Sequence, residues 1–509
     1  MSGNKADKPD SGAPGPAQRH PLPFAFARDH QVVLDGGQLV TGPEASAQGL
    51  RLARALARSE LDPQALEARA FQDRLTRVYD RDQGQIAQDV LQFEYDGEIR
   101  DAAPRDLLED AEEAPVVKLV NQILRRAMRV GASDLHIEPH GEGLRARIRV
   151  DGSLQQAFDR ADVPARRVVS RLKVMSGLDI AETRLPQDGR IALSLGGKAV
   201  DVRISTLPGP YGERIVLRLL DRSAGLMAPE DLGMASAQQD MLNRLARQPD
   251  GIILATGPTG SGKTTTLYSL LQLADRRQRN ILTVEDPIEY ELPGISQCQV
   301  NSEIGMTFAR GLRSVLRQDP DVILVGEIRD GETAQVAAEA ALTGHLVFSS
   351  VHANNPLSTI VRLRELGVDN YLISATLRGV IAQRLLRRLC PDCARPHPPD
   401  AEMAERFQSA GLEVPDQIWS ATEGGDTPCP HCEGAGYRGR VGVFDILEIS
   451  DDIRAAIDQG ASEHQLRVAL RGAGLSVSSL DGLYRLGLEK VAAGATSAQE
   501  LFRVIGPDP

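Results

Sequence analysis

Apolar positions change their spacing three times along this 509-residue chain. The segment LPFAFARDHQVVL, from Leu22, is short and apolar, and the Ala- and Leu-rich stretches after it, up to about Asp96, carry many charges and read as helical. Beyond Pro115, residues Val116, Leu119, Val120, Ile123, Leu124 and Ala127 recur at i, i+3, i+4, i+7, i+8 and i+11. That is one face of an amphipathic helix, stopped at Gly131. Alternation then takes over in LRARIRVDG (144–152) and KAVDVRIST (198–206), the period of half-buried strands, in a mixed α/β unit ending near Ser223. From about Asp231 the pattern becomes short apolar runs (252–255, 281–284, 322–325, 346–349) separated by helical lengths, as in a parallel sheet covered on both faces. The last Ala-, Leu- and Arg-rich stretch is predicted helical. No internal repeat is present.

Composition narrows the class. With 41% hydrophobic and 25% charged residues the chain reads as soluble and globular, and its length predicts several domains. Residues 1–20, rich in Gly, Pro, Ala and Asp, are expected to be a disordered tail, and 106–113 form an acidic connector. A net charge of −12 weighs against a general nucleic-acid binder, because phosphate binding depends on clustered cations. The first 20 residues hold no apolar stretch of the secretory kind, and the longest charge-free run, 340–361, contains two His, two Asn and a Pro, a poor membrane span. The expectation is a cytoplasmic protein whose membrane contacts run through a partner.

The strongest local signal is Gly257, Pro258, Thr259, Gly260, Ser261, Gly262, Lys263, Thr264, a full G-x-x-x-x-G-K-[ST] loop between an apolar run and a helix-compatible TTTLYSLLQLA. Glycines let backbone N–H groups face a phosphate at a helix N-terminus, Lys263 supplies a cation to β/γ oxygens, and Thr264 can ligate Mg²⁺. Three other apolar runs each lead into Glu285, Glu327 or His352. In open α/β sheets ligands bind beyond the carboxyl ends of strands, so these residues and the loop are expected in one crevice. A carboxylate at Glu327 can hold the Mg²⁺ shell or orient the attacking water, and Glu285 competes for that water. The alternative for Glu285 and Asp286 is a turn cap before Pro287. Gly326 stands where an Asp usually precedes Glu327, leaving Glu327 the metal-proximal work. His345 and His352 straddle the last of these strands; each is either a nucleotide-sensing or subunit-coupling group or a satisfied core histidine.

Four of five cysteines form two C-x-x-C knuckles, Cys390/Cys393 and Cys429/Cys432. Four thiolates suit a closed, structural tetrahedral Zn²⁺ centre; a redox dithiol pair and an iron–sulfur cluster are the rivals. His397 and His431 read as bystanders, and Cys298 as a small apolar residue in or near a strand.

Together, ASDLHIEP (132–139), RLPQDGRI (184–191), STLPGPYGERIVLRLL (205–220), the phosphate loop, TVEDPIEY, RQDPDVILVGEIRD and LTGHLVFSSVHANN resemble the secretion-superfamily hexameric ATPases of type II secretion, type IV pilus assembly and DNA uptake. The LPFAFARDH opening and the short N-terminal region resemble the type II secretion branch, the GspE family. The resemblance implies an α/β fold: a small N-terminal docking domain (21–105), a PAS-like α/β domain (114–225), a RecA-like P-loop ATPase domain (231–389), a four-cysteine zinc subdomain (390–445) and a helical C-terminal region (446–506). It further implies a homo-hexamer that uses ATP, Mg²⁺ and Zn²⁺ and docks through its N-terminal domain on the cytoplasmic part of a GspL-like inner-membrane protein. Glu285 then lies in the family's aspartate box, Glu327 in its Walker B motif and His345 and His352 in its histidine box, although VFSSVHANN has Ser where many relatives have Thr. Arg203 and Arg218 match arginines that approach the phosphates, where an Arg fork stabilises charge on the transferring group. Arg214 reads as a solvated strand residue. The implied function is ATP-driven protein export through pseudopilus assembly, with no direct nucleic acid. The alternatives are a pilus-assembly or DNA-uptake ATPase, a RecA-fold nucleic-acid motor and a regulatory nucleotide-binding module.

Overall fold

The computed structural model describes residues 22, 24–35, 38–57, 62–81, 105–106, 115–141, 143–161, 163–195, 198–221, 227–422, 429–472 and 482–506. The expected tail and nearly all of the acidic connector lie outside them. The chain divides into two compact units, 1–224 and 225–509.

Among the described residues the first unit holds two sheets. In the smaller, Val32–Asp35 pairs antiparallel with Gln38–Thr41, which pairs parallel with Pro63–Ala65. Val32, Val33, Leu39 and Val40 are buried with Phe71 and Leu75 of the helix Ala68–Arg81. The larger sheet runs in the order Arg105–Asp106, Gln187–Leu195, Lys198–Leu207, Arg214–Asp221, Asp134–His140, Gly143–Val150, Ser153–Arg160. The helix expected from apolar spacing spans Pro115–Arg129 and buries Val116, Val120, Ile123, Leu124 and Ala127. Period-2 alternation does the rest: Leu135, Ile137, Ile148, Val202, Ile204 and Leu217 are buried. Residues between them, including Asp134, His136, Arg203 and Arg218, project from the other face.

The second unit is built on a seven-stranded sheet ordered Ser296–Gln299, Ile281–Glu285, Val322–Val325, Leu346–Val351, Gly251–Thr256, Leu377–Leu389, Tyr437–Glu448. The first six strands are parallel and the last is antiparallel. All four expected apolar runs are strands, and all four are buried along their whole length. Ile252 and Leu254 enter one apolar layer while Ile253 and Ala255 enter the other, the mark of a sheet covered on both faces. Each large aliphatic buried this way contributes roughly 1.5–3 kcal/mol. Of the charge-free run 340–361, part ends the helix Gly331–Leu342, part is the strand Leu346–Val351, and part starts the helix Pro356–Glu365. Among the described residues no helix is long and apolar enough to cross a membrane.

One boundary differs from expectation. Sequence reading ends the parallel domain at 389 and starts a helical region at 446, yet Tyr437–Glu448 returns as the last strand of the same sheet, paired residue by residue with Leu377–Leu389. The chain leaves that sheet after Leu389 and re-enters it at Tyr437 beside its point of departure, and the two cysteine knuckles stand together there. Helices Asp451–Asp458, Glu463–Gly472, Gly482–Ala492 and Ala498–Ile505 follow, as the closing composition predicts. Cys298 lies half-buried in the edge strand Ser296–Gln299.

Candidate nucleotide site and cysteine centre

The phosphate loop leaves the carboxyl end of Gly251–Thr256 and runs straight into the helix Lys263–Leu273. Its shape depends on glycine. Gly260 has φ +80°, and a β-carbon on Gly257 would come 2.6 Å from the Gln383 carbonyl. Gly262 caps the helix with no side-chain hydrogen bond, so its first N–H groups are left for a ligand. Lys263 Nζ turns back on the loop, donating to the carbonyls of Gly257 (2.8 Å) and Pro258 (3.1 Å). Burial holds its ammonium below the usual lysine range; nearby Glu327 pushes the other way and Arg384 adds to the depression. The hydroxyl of Ser261 is buried without a partner, and that of Thr264 makes no hydrogen bond among the described residues. An uncapped helix start, a cation bonded only to neutral carbonyls and orphaned hydroxyls fit a nucleotide's phosphates and a hard cation.

Strand order brings the other residues in. Leu346–Val351 lies between the loop's strand and Val322–Val325, so the residues after these strands emerge side by side. Thr256 fastens this edge, its hydroxyl donating to Val351 O and accepting from Ala353 N–H. Glu327 ion-pairs with Arg329 and lies 3.7 Å from His352 Nε2. Burial lowers the His352 pKa, as do Lys263 and Arg329, while Glu327 raises it.

Two expected residues are placed differently: His345 at the opposite end of its strand, and Glu285 beside Gly326 at this same end but with its carboxylate turned into the fold. His345 precedes Leu346–Val351 at the amino end of the strand, with its Nδ1 2.8 Å from Ala340 O. Six residues, about 20 Å of strand, separate it from the His352 end. Glu285, 3% exposed, accepts hydrogen bonds from Tyr268, from Thr283 (2.6 Å) and from Gln297 (3.0 Å). Its oxygens are thus held by neutral donors inside the fold.

Two residues of the site were missed in the sequence. Gln383 and Arg384 interrupt the buried strand Leu377–Leu389 beside the loop. Gln383 Nε2 donates to Ser261 O (2.7 Å), and Arg384 donates to Gln383 O (2.9 Å) and Asn354 O (3.1 Å). A polar pair directly after the apolar run Val380, Ile381, Ala382 was the available signal.

In the first unit, strand register sets Arg190, Arg203, Arg218, Asp134 and Arg149 opposite one another in a row across five strands. Arg190, Arg203 and Arg218 line an open cavity of about 460 Å³. Asp134 lies 3.4 Å from Arg218 and 3.8 Å from Arg149. Directly opposed like charges repel, so such a row suits an anion. Arg214 pairs with Glu138 at 2.9 Å.

The four cysteine sulfurs all lie within 4.8 Å of one another, with Cys390–Cys429 at 3.9 Å and Cys393–Cys432 at 3.6 Å, and none forms a disulfide. A tetrahedron with metal–sulfur bonds of about 2.3 Å has edges of about 3.8 Å, so the donor set fits one zinc-sized ion. A cubane cluster holds its thiolates farther apart. His431 Nδ1 is 2.9 Å from Asp392 and 3.8 Å from Cys390 Sγ, at the edge of the four-sulfur set, and His397 contacts Pro398 O.

Comparison with known proteins places these features. The family "Type II/IV secretion system protein" matches residues 109–503, and a second family, an N-terminal domain of "GSPII protein E", matches 21–79. The chain is 45% identical over 502 residues to "Type II secretion system protein E" of Klebsiella pneumoniae, covering 96% of this chain and 97% of that one. It is 44% identical over 504 residues to "Type II secretion system ATPase E" of Vibrio cholerae, covering 96% and 98%. The Legionella pneumophila ATPase DotB shares the fold, with TM-score 0.55 and 21% identity over 75% of this chain and 94% of that one.

Proposed function

The chain belongs to the type II/IV secretion system protein family, and on that premise we propose that it is an ATP hydrolase powering protein export through a type II secretion system. The observation that carries the chemistry is the meeting of Lys263, Glu327 and His352 at adjacent strand ends. Near-full-length likeness to proteins named for type II secretion supports the cargo. ATP binding would draw Lys263 from the loop carbonyls to the β/γ oxygens, with the loop and the first helix turn supplying N–H donors. Glu327 positions the attacking water beside His352. Thr264 and Glu327 would hold Mg²⁺, whose charge neutralises the phosphate oxygens. Arg203 and Arg218 are read as the arginines that stabilise phosphoryl charge, a role supported by the arginine row. His345 is assigned no part in hydrolysis, and Glu285 supports the strand end. The four cysteines would hold Zn²⁺ as a structural cross-link.

The rest of the proposal concerns assembly. The protein works as a homo-hexamer, in the cytoplasm and peripheral to the inner membrane, with residues 21–105 docking on a GspL-like platform protein. The match of 21–79 to the N-terminal domain of GSPII protein E supports that docking role. The test pairs two measurements. ATP turnover should collapse in Glu327→Gln and be indifferent to added nucleic acid; strong stimulation by nucleic acid would favour a motor on DNA or RNA. Capture with residues 1–224 as bait should recover a secretion platform protein, and recovery of a pilus platform instead would reassign the cargo.

A further inference from the structure

We propose that Arg384 is a second phosphate-binding cation of the nucleotide site, supplied from the strand Leu377–Leu389 that flanks the loop; this rests on the ATPase reading above. Arg384 is half-buried and, among the described residues, has no carboxylate partner: both of its hydrogen bonds go to main-chain carbonyls, of Gln383 and Asn354. A guanidinium removed from water without a counter-ion is costly, and burial lowers its pKa. Its position says which anion would relieve that cost. A β-carbon on Gly257, the first glycine of the loop, would lie 3.2 Å from Arg384 Nη1, and Lys263 Nζ bonds the carbonyl of that same glycine. Two cations therefore flank one peptide of the loop, close enough for Arg384 to depress the lysine. Glu327, the carboxylate that acts on Lys263, is paired with Arg329. Beside Arg384, the buried Gln383 Oε1 has no hydrogen-bond partner while its Nε2 clamps Ser261 O. Strand register makes the placement firm, since Ala382 is paired with Thr256, the last residue before the loop. A phosphate chain on the loop meets two cations from one subunit, and Arg384 exchanges its carbonyls for phosphate oxygens. The bond to Asn354, two residues after His352, makes Arg384 responsive to both loop and ligand.

The test uses the full chain as wild type, Arg384→Gln and Arg384→Lys, titrated with ATP, ADP and AMP in Mg²⁺ and followed by melting midpoint and by KM and kcat. The ligand-free Arg384→Gln midpoint should equal or exceed wild type, because an uncompensated charge is gone. Its ATP affinity should fall about tenfold, the worth of one charged hydrogen bond, with a smaller loss for ADP and little for AMP, and Arg384→Lys should recover part of it. Unchanged affinity for all three nucleotides would overturn the proposal. So would a lower ligand-free midpoint with equal weakening for all three, the signature of a brace for residues near 354. If the wild type itself fails to bind ATP, the ATPase reading falls instead.

Discussion

The long strand Leu377–Leu389 serves two sites of opposite character, one at its middle and one just past its end. At Gln383 and Arg384 it borders a loop whose cations rest on carbonyls and whose hydroxyls are unpaired, an arrangement completed only by a ligand that comes and goes. Six residues after Arg384 the chain reaches Cys390, where four sulfurs already stand at the spacing of one ion. The first site stores its chemistry as unsatisfied groups, and the second stores a cross-link. The difference separates a site built for turnover from one built for stability: a closed four-thiolate shell leaves no position for a substrate.

The largest effect should come from opening the closed site. Cys393→Ser, or stripping metal with a chelator, removes binding energy that is folding energy, and a loss of about 4 kcal/mol lowers the melting midpoint by on the order of 10 °C. Zinc content and midpoint both unchanged would break the contrast. At the other site, Glu327→Gln should cut ATP turnover by roughly 10²–10³-fold, the scale for a lost water-orienting base, with metal content intact.

Just before the first site along this strand, Asp445 pairs in register with Ala382 and is 5% exposed, and no group among the described residues donates a hydrogen bond to it. Burial raises its pKa to about 7. A carboxyl whose folded pKa lies above its unfolded one stabilises fully below about pH 4, and that stability is lost as pH rises through about 7. Wild type should therefore lose on the order of 4 kcal/mol across this window, and Asp445→Asn should flatten the loss in pH-dependent denaturation. An equally steep loss in the variant would assign the slope to other groups. The smallest effect separates the two ends of Leu346–Val351. His352→Ala should reduce turnover about tenfold or more, as for a lost general acid–base or hydrogen-bonding group, and His345→Ala should leave it near wild type. Equal losses would show that the strand carries influence from both ends.

Much of this was legible in advance. The phosphate loop, the four central strands, the amphipathic helix before Gly131 and the cysteine knuckles follow from local spacing, because period and turn chemistry are local properties. The return of Tyr437–Glu448 to the sheet was not, since a strand's partner about 60 residues away leaves no local mark. Glu285 reads like Glu327 in sequence, each following a buried strand, yet Tyr268, Thr283 and Gln297 converge on the first, whereas Arg329 and His352 flank the second.

By itself the sequence determined the chemistry available: a loop shaped by glycines for phosphate, four thiolates for one ion, and an acidic chain whose arginines alternate along strands. Tertiary structure decided which of these groups meet. Parallel strand order carries Glu327 and His352 to the loop's end of the sheet and leaves His345 at the other, and register sets Arg384 beside Lys263. The physical reason is that residues converge on a site through sheet order and pairing, which depend on contacts between distant segments, whereas the character of each group is fixed where it stands.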